Sequence, residues 1–271
     1  MEVNMLRLGR IGRLEVASLS DVGCVRENNE DSLGVYPGAE GQGPLLVVAD
    51  GMGGAVAGEV ASRLAVDGVH RAYFDRSAGL AADKNGNGTP DGDTGAVLIE
   101  AVLAANRDVF DRARREPALR GMGTTCTAVA VSDEGLVVGH VGDSRAYLVS
   151  EGRLTRLTRD HTLAEALARR AGGPPETIPP EAHNILTRCL GVEPEARVDL
   201  DRFPPAAAGD RLLMCSDGLT GMVDDDLILE TVAANDPGEA CRKLVEAAKR
   251  EGGIDNVSVV VARFLSDEDS V

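Results

Sequence analysis

Three carboxylates stand in the same setting at widely separated points of the chain. Asp50 ends the apolar run Leu45-Leu46-Val47-Val48-Ala49 and opens a turn containing Gly51, Gly53 and Gly54. Asp217 follows Leu212-Leu213-Met214-Cys215-Ser216 and precedes Gly218, and Asp255 follows Gly253-Ile254 just ahead of an apolar stretch. Strand ends are where a sheet can gather side chains from distant parts of a sequence, and carboxylates gathered there repel one another unless a cation lies between them. Oxygen donors without a Cys or His cluster favour magnesium or manganese over zinc, and two such ions ~4 Å apart could share a carboxylate and activate a water. Gly51 lets the backbone approach closely, so its carbonyl can face the same ligand as Asp50. Glu30 and Asp31 set two more carboxylates side by side before a strand, where neighbouring side chains point to opposite faces unless the backbone bends. Arg26 is a planar cation suited to bidentate contact with a phosphate. Plainer readings exist: Asp-Gly is a common hairpin turn, residues 25–31 read as a solvated loop, and a turn alone explains Asp143 after Gly142. The repetition at Asp50, Asp217 and Asp255 favours the metal.

The elements that must position these residues follow from periodicity. Residues 14–20, 32–36 and 45–49 read as strands, the last stopping at Asp50. Val60, Leu64 and Val69, then Val97, Ala101, Val102, Ala105 and Val109, recur at helical spacing and predict helices over 57–73 and 94–115. From Thr124 the pattern changes to β-branched, alternating segments at 125–132, 135–141 and 144–150, separated by tight turns, which makes the sheet antiparallel. A helix at 163–171, a strand at 211–215, a second helix pair at 225–234 and 237–250, and a strand at 257–264 complete the chain. Two helices in succession between strands suggest a pair laid on a sheet face. The proline- and glycine-rich stretch 172–180 reads either as a flap over a cleft or as a surface loop. Residues 83–93 resemble a calcium-binding loop, with Asp83, Asn85, Asn87 and Asp91 spaced as ligands and Gly88 at the sixth position. The twelfth position is Thr94 rather than a bidentate Glu, so the expectation is a polar insertion.

Composition sets the bounds. With 271 residues and 43% hydrophobic content the chain can bury a proper core. A net charge of -16, from 44 acidic and 28 basic residues, argues against nucleic acid or an anionic membrane as partner and suits a site that collects cations. The five cysteines are dispersed without metal-ligand spacing and read as buried thiols of a reducing cytosol. Residues 1–13 lack the apolar stretch of a signal peptide and no window approaches a membrane span, so the expectation is a soluble, cytoplasmic protein.

The same residues carry a family resemblance. Arg26 with Glu30-Asp31, Ala49-Asp50-Gly51-Met52-Gly53-Gly54, Gly123-Thr124-Thr125, Gly142-Asp143-Ser144-Arg145, Ser216-Asp217-Gly218 and Asp255-Asn256 stand in the order of the metal-dependent serine/threonine protein phosphatases of type 2C, bacterial branch. The resemblance runs from about Ser18 to Phe264. It implies an α+β fold: a four-layer αββα sandwich, two central antiparallel β-sheets flanked by helix pairs, in one catalytic domain over 1–265 with an acidic, disordered tail at 266–271. It also implies a centre of two manganese or magnesium ions. By matching motif, Asp50 resembles the bridging ligand, with Glu30 and the Gly51 carbonyl at one metal and Asp217 and Asp255 at the other. Asp143 resembles the ligand of a weaker third ion. Arg26 looks like the phosphate clamp, and Asp31 like the carboxylate that orients or deprotonates the nucleophilic water. The implied reaction is hydrolysis of phosphoserine and phosphothreonine in proteins by a metal-activated water. The implied partners are phosphorylated proteins, a serine/threonine kinase or its substrates in bacterial signalling, with the enzyme a monomer. Rival readings are a phosphatase for small esters and a catalytically silent binding module. Met52 departs from animal members, which have His there, so the proton for the leaving group must come from elsewhere: His161 and His183, flanking 172–180, or a metal-bound water.

Overall fold

Leu45, Leu46, Val47, Val48 and Ala49 are all fully buried, which a strand achieves only when both of its faces are covered. The computed structural model, which describes residues 7–38, 43–81 and 93–266, shows how. In chain order the elements are β1 (Arg7–Ile11), β2 (Leu14–Asp21), β3 (Asp31–Tyr36), β4 (Leu45–Met52), α1 (Ala55–Ala81), α2 (Thr94–Arg115), β5 (Gly123–Thr124), β6 (Cys126–Ser132), β7 (Gly135–Val141) and β8 (Arg145–Ser150). Then follow β9 (Arg153–Arg156), α3 (Leu163–Ala171), β10 (Asp199–Phe203), β11 (Arg211–Cys215), α4 (Asp217–Thr220), α5 (Asp225–Ala234), α6 (Pro237–Arg250) and β12 (Val257–Phe264). One sheet has the order β1-β2-β12-β11-β8-β9, the other β10-β7-β6-β4-β3 with β5 on the end of β4, and neighbours are antiparallel throughout.

The period of two along each strand divides the apolar side chains among three cores. Leu45, Val47 and Ala49 point to one face and pack with Ala61, Ala65, Val69, Leu98, Val102 and Ala105 of α1 and α2. Leu46 and Val48 point the other way, into a layer between the sheets shared with Val129, Val138, Met214 and Val260. Leu213, Cys215, Val259 and Val261 pack outward against Ile228, Val232, Cys241, Leu244 and Val245 of α5 and α6. The result is the expected four-layer αββα sandwich.

The helices are capped as their sequences suggest. Asp93, Thr162, Asp224 and Asp236 each accept a backbone N–H of the first turn of α2, α3, α5 and α6, satisfying donors that have no partner inside the helix. Three arginines in the last turn of α2 face the negative end of its dipole.

Several elements differ from the sequence expectation. Strand β4 does not stop at Asp50, because Gly51 and Met52 pair with Thr124 and Gly123 of β5. Helix α1 begins at Ala55 and continues to Ala81, beyond the periodic segment. Strands β9 and β10 went unread because Arg153–Arg156 and Asp199–Phe203 are polar, part-exposed segments at the outer ends of their sheets, where side chains need not alternate. Strand β1, at the opposite end of the first sheet, is likewise absent from the sequence expectation. Of the cysteines, Cys126, Cys215 and Cys241 are buried, but Cys24 is exposed and Cys189 only half-buried. Residues 172–180 start at Gly172 in the left-handed region (φ 70°) and contain a short 3₁₀ turn at Pro175–Thr177. The calcium-like stretch before Asp93 and the tail beyond Ser266 lie outside the described residues. Among the described residues, no helix is long and apolar enough to cross a membrane.

Candidate metal centre and active site

Asp31 opens β3 and faces Asp50 of β4 directly across the ladder. Two like charges ~5 Å apart cost roughly 3 kcal/mol at an effective dielectric near 20, more than a typical hydrogen bond contributes, so this pairing needs a proton or a cation between its members. The backbone of Asp50 is held firmly. Its N–H donates to Thr125 Oγ1 at 2.9 Å, and its carbonyl accepts Thr125 N–H at 2.8 Å and Thr124 Oγ1 at 2.9 Å. Thr125 Oγ1 also shares a hydrogen bond with Ser144 Oγ, 2.7 Å away. The Gly123-Thr124-Thr125 motif therefore carries the central carboxylate.

Gly51 continues the strand where no side chain would fit. A Cβ there would lie 2.0 Å from the Gly58 carbonyl and 2.7 Å from the Glu30 carbonyl, which accepts Gly51 N–H at 3.1 Å. At Gly58 a Cβ would lie 1.8 Å from Glu30 Oε2, so the first turn of α1 forms the floor under that carboxylate. Gly58 lies within a helical pattern and so gives no local signal of this role.

Asp255 and Arg26 form an ion pair, Nη2 to Oδ2 at 2.7 Å, with both side chains partly open to solvent. Asn256 ties their two segments together. Its Oδ1 accepts Glu30 N–H at 2.8 Å, and its Nδ2 donates to the carbonyls of Val22 at 3.0 Å and Asn28 at 2.9 Å. Nothing in the local pattern of Asp255-Asn256 announces this, since its partners lie more than 220 residues away.

Asp217 starts α4 immediately after β11, and Asp143 follows Gly142, whose φ of 112° suits glycine alone. His161 grips that glycine at two points, accepting Gly142 N–H on Nδ1 at 3.0 Å and donating its own N–H to the Gly142 carbonyl at 2.7 Å. With Nδ1 an acceptor, the ring proton sits on Nε2 and points to Asp199 Oδ2 at 3.1 Å, while Arg188 holds Asp199 Oδ1 at 2.6 Å. His140 is likewise engaged at both nitrogens, with Thr127 Oγ1 at 2.9 Å and the Arg159 carbonyl at 3.0 Å, and burial pushes it down to about 3. His183 Nε2 lies 3.3 Å from the Ile178 carbonyl. Both ring nitrogens of His161 are thus engaged, whereas His183 is held through Nε2. Met52 packs its methyl against Gly123.

The electrostatics of the nest follow from crowding. Burial pushes Asp31 up to about 7, with Asp217 and Asp255 adding to the rise and the hydroxyls of Ser258 and Ser216 opposing it. Burial, then Asp217 and Asp160, raises Asp143 to about 8. Asp50 is raised well above the usual range by burial and by Asp31, Asp217 and Asp143. Asp217, raised by burial and by Asp255, comes within hydrogen-bonding reach of Asp50. Two buried oxygens, Asp31 Oδ1 and Asp217 Oδ1, have no hydrogen-bond partner. A buried carboxylate oxygen without a partner is costly, and oxygen-only donors in mutual repulsion suit a hard divalent cation. Among the described residues no three His, Cys, Asp or Glu side chains are arranged as a ready-made metal cage. The fit lies in the chemistry of the donors and in the unpartnered oxygens.

A two-sheet sandwich with flanking helix pairs and a nest of buried and half-buried carboxylates at the strand ends, beside an accessible guanidinium, defines a class suited to divalent metal and phosphate. The family model for protein phosphatase 2C matches residues 25–250, and the chain belongs to that family. The serine/threonine protein phosphatase PstP of Mycobacterium tuberculosis is 42% identical over 255 residues, 92% of this chain and 45% of PstP. The chain thus spans less than half the length of that curated relative. The serine/threonine phosphatase stp of Listeria monocytogenes is 35% identical over 245 residues, 89% of this chain and 92% of stp. The solved catalytic domain of PstP in complex with two manganese ions is 42% identical with a TM-score of 0.72, covering 93% of this chain and 99% of that one.

Proposed function

We propose that this chain is a metal-dependent protein phosphatase that hydrolyses phosphoserine and phosphothreonine in proteins. One observation carries the proposal: Asp31 and Asp143, both buried, and Asp50 and Asp217, both half-buried, raise one another's pKa in a single nest that leaves two oxygens unpartnered and interacts with the solvent-open Arg26–Asp255 pair. Glu30, Asp50, the Gly51 carbonyl, Asp217 and Asp255 are the residues that would hold two manganese or magnesium ions, and Asp143 a weaker third. When bound, such ions neutralise phosphate charge and make a water acidic enough to attack phosphorus. The relative solved with two manganese ions, at 42% identity, supports the pairing of ions.

The chain's own residues do the rest. Arg26 offers the N–H edge of its planar fork to two phosphate oxygens, giving up Asp255 as it does so. Asp31 presents the oxygen that Ser216 leaves free, placed to orient the attacking water or accept its proton. Asn256 keeps the Arg26 and Glu30 segment in register with Asp255. In this reading residues 1–265 form one catalytic domain, acting as a monomer on phosphorylated proteins and opposing a serine/threonine kinase in the cytoplasm. Five cysteines without a disulfide suit that reducing compartment. Phosphate release from a phosphothreonine peptide, measured with manganese and then with excess chelator, tests the proposal. Release in manganese that chelator abolishes is expected, and no release in manganese refutes it.

A further inference from the structure

Asp31 is held by one oxygen only. Ser216 Oγ donates to Asp31 Oδ2 at 2.8 Å, while Oδ1 is buried without a partner. The direction of the Ser216 hydroxyl is set by its surroundings. Its oxygen accepts Ser258 N–H at 3.0 Å, and Ser216 N–H donates to the Ser258 carbonyl at 3.0 Å, so the fully buried residue is bracketed by the start of β12. With the backbone donor occupying one side of the oxygen, its hydrogen points at Asp31. A second tether fixes the backbone: Asp31 N–H donates to Asn29 Oδ1 at 3.1 Å, and Asn29 Nδ2 donates to Ser20 Oγ, which pairs with Ser258 Oγ, both at 2.7 Å. Asp31 belongs to one sheet, and every one of these anchors ends on the other.

A carboxylate turns easily about its last torsion, so two equivalent oxygens become distinct only when one is pinned. We infer that Ser216 is a positioning residue: it pins Oδ2 of Asp31 so that Oδ1 is the oxygen presented to the reacting water. This rests on the reading of Asp31 given above, and its consequence is that Ser216 acts on the rate of the chemical step rather than on binding.

The test compares Ser216→Ala, Ser216→Thr and Asp31→Asn on a phosphothreonine peptide in saturating manganese, with manganese binding followed by calorimetry and folding by thermal melting. Loss of a hydrogen bond that orients a reacting group is expected to lower kcat of Ser216→Ala by roughly 10- to 100-fold, as loss of outer partners does at metal sites. KM and manganese affinity should stay at parental values, and Ser216→Thr, which restores the hydroxyl, should recover most of the rate. Parental kcat in Ser216→Ala beside an inactive Asp31→Asn overturns the inference and leaves the reading of Asp31 standing. An active Asp31→Asn overturns that reading itself. A fall in kcat accompanied by lost manganese binding assigns Ser216 to support of its neighbour Asp217, and overturns the inference too. If Ser216→Thr melts well below the parent, Ser216→Ala alone decides through its split between kcat and KM.

Discussion

Replacing Asp217 with Asn should make the chelated protein more stable and the manganese-loaded protein inactive. The two effects have one cause. Asp217 sits half-buried within hydrogen-bonding reach of Asp50 and under the influence of Asp255, among charges of its own sign, with Oδ1 buried and unpartnered. One ionised neighbour ~4 Å away contributes about 4 kcal/mol of repulsion at an effective dielectric of 20. Proton sharing between Asp50 and Asp217 already relieves part of that, which leaves on the order of 1–3 kcal/mol to be gained by removing the charge. The amide put in its place keeps the volume and can donate to Asp50. For a chain of this size 1 kcal/mol moves the melting temperature by about 2–4 °C, so a rise of roughly 3–10 °C is expected in excess chelator at pH 8. With manganese the same change removes a ligand and a charge, and turnover of a phosphothreonine peptide should fall at least ~100-fold, the upper part of the range seen when even outer partners of a metal are lost. Thermal melting with and without chelator and a phosphate-release assay check both halves. A lower melting temperature in chelator would show that the nest is not held under repulsion, and near-parental turnover in manganese would sink the assignment of Asp217 as a ligand.

Other expectations follow from the same geometry. Arg26→Ala should raise KM at least as much as it lowers kcat, with Lys a poor substitute because it lacks the planar fork; an unchanged KM would reduce Arg26 to the Asp255 ion pair seen here. His161→Ala should slow a phosphopeptide and p-nitrophenyl phosphate equally and destabilise the fold by about 1–3 kcal/mol, since it strands Gly142 N–H and leaves Asp199 without its ring partner. Loss confined to the phosphopeptide would instead make His161 the acid for the leaving group. In chelator the melting temperature should fall between pH 6.5 and 8.5. Asp31 and Asp143 are raised to about 7 and about 8, so their contribution is present below the unfolded value near 4 and lost as pH rises through the folded ones. His140, lowered to about 3, acts in the opposite sense, but only below its unfolded value near 6.5, so it does not mask the trend. Manganese should reverse the slope, because its ligands must lose their protons to bind; a flat profile in chelator would show that the raised carboxylates do not govern stability.

The sequence alone determined the layers and singled out the carboxylates proposed as donors. An unbroken apolar run such as 45–49 must be covered on both faces, helical spacing at 94–115 and 237–250 must lie on a sheet, and a carboxylate at each of three strand ends speaks for a shared cation. Those are local facts, set by periodicity within ten or twenty residues. Polar end strands β9 and β10 escaped because part-exposed strands owe their pairing to neighbours rather than to a pattern of their own. The continuation of β4 past Asp50 escaped because β5, its partner there, lies more than 70 residues on. Tertiary structure alone decided what surrounds each donor: that Asp31 faces Asp50 across a ladder, that Asn256 binds the loop before Glu30, that Ser216 pins one oxygen of Asp31, and that both nitrogens of His161 are spent on Gly142 and Asp199. Hydrogen bonds reach only about 3 Å and carry no trace along the chain, so a side chain's partner becomes known only once the fold has brought distant segments together.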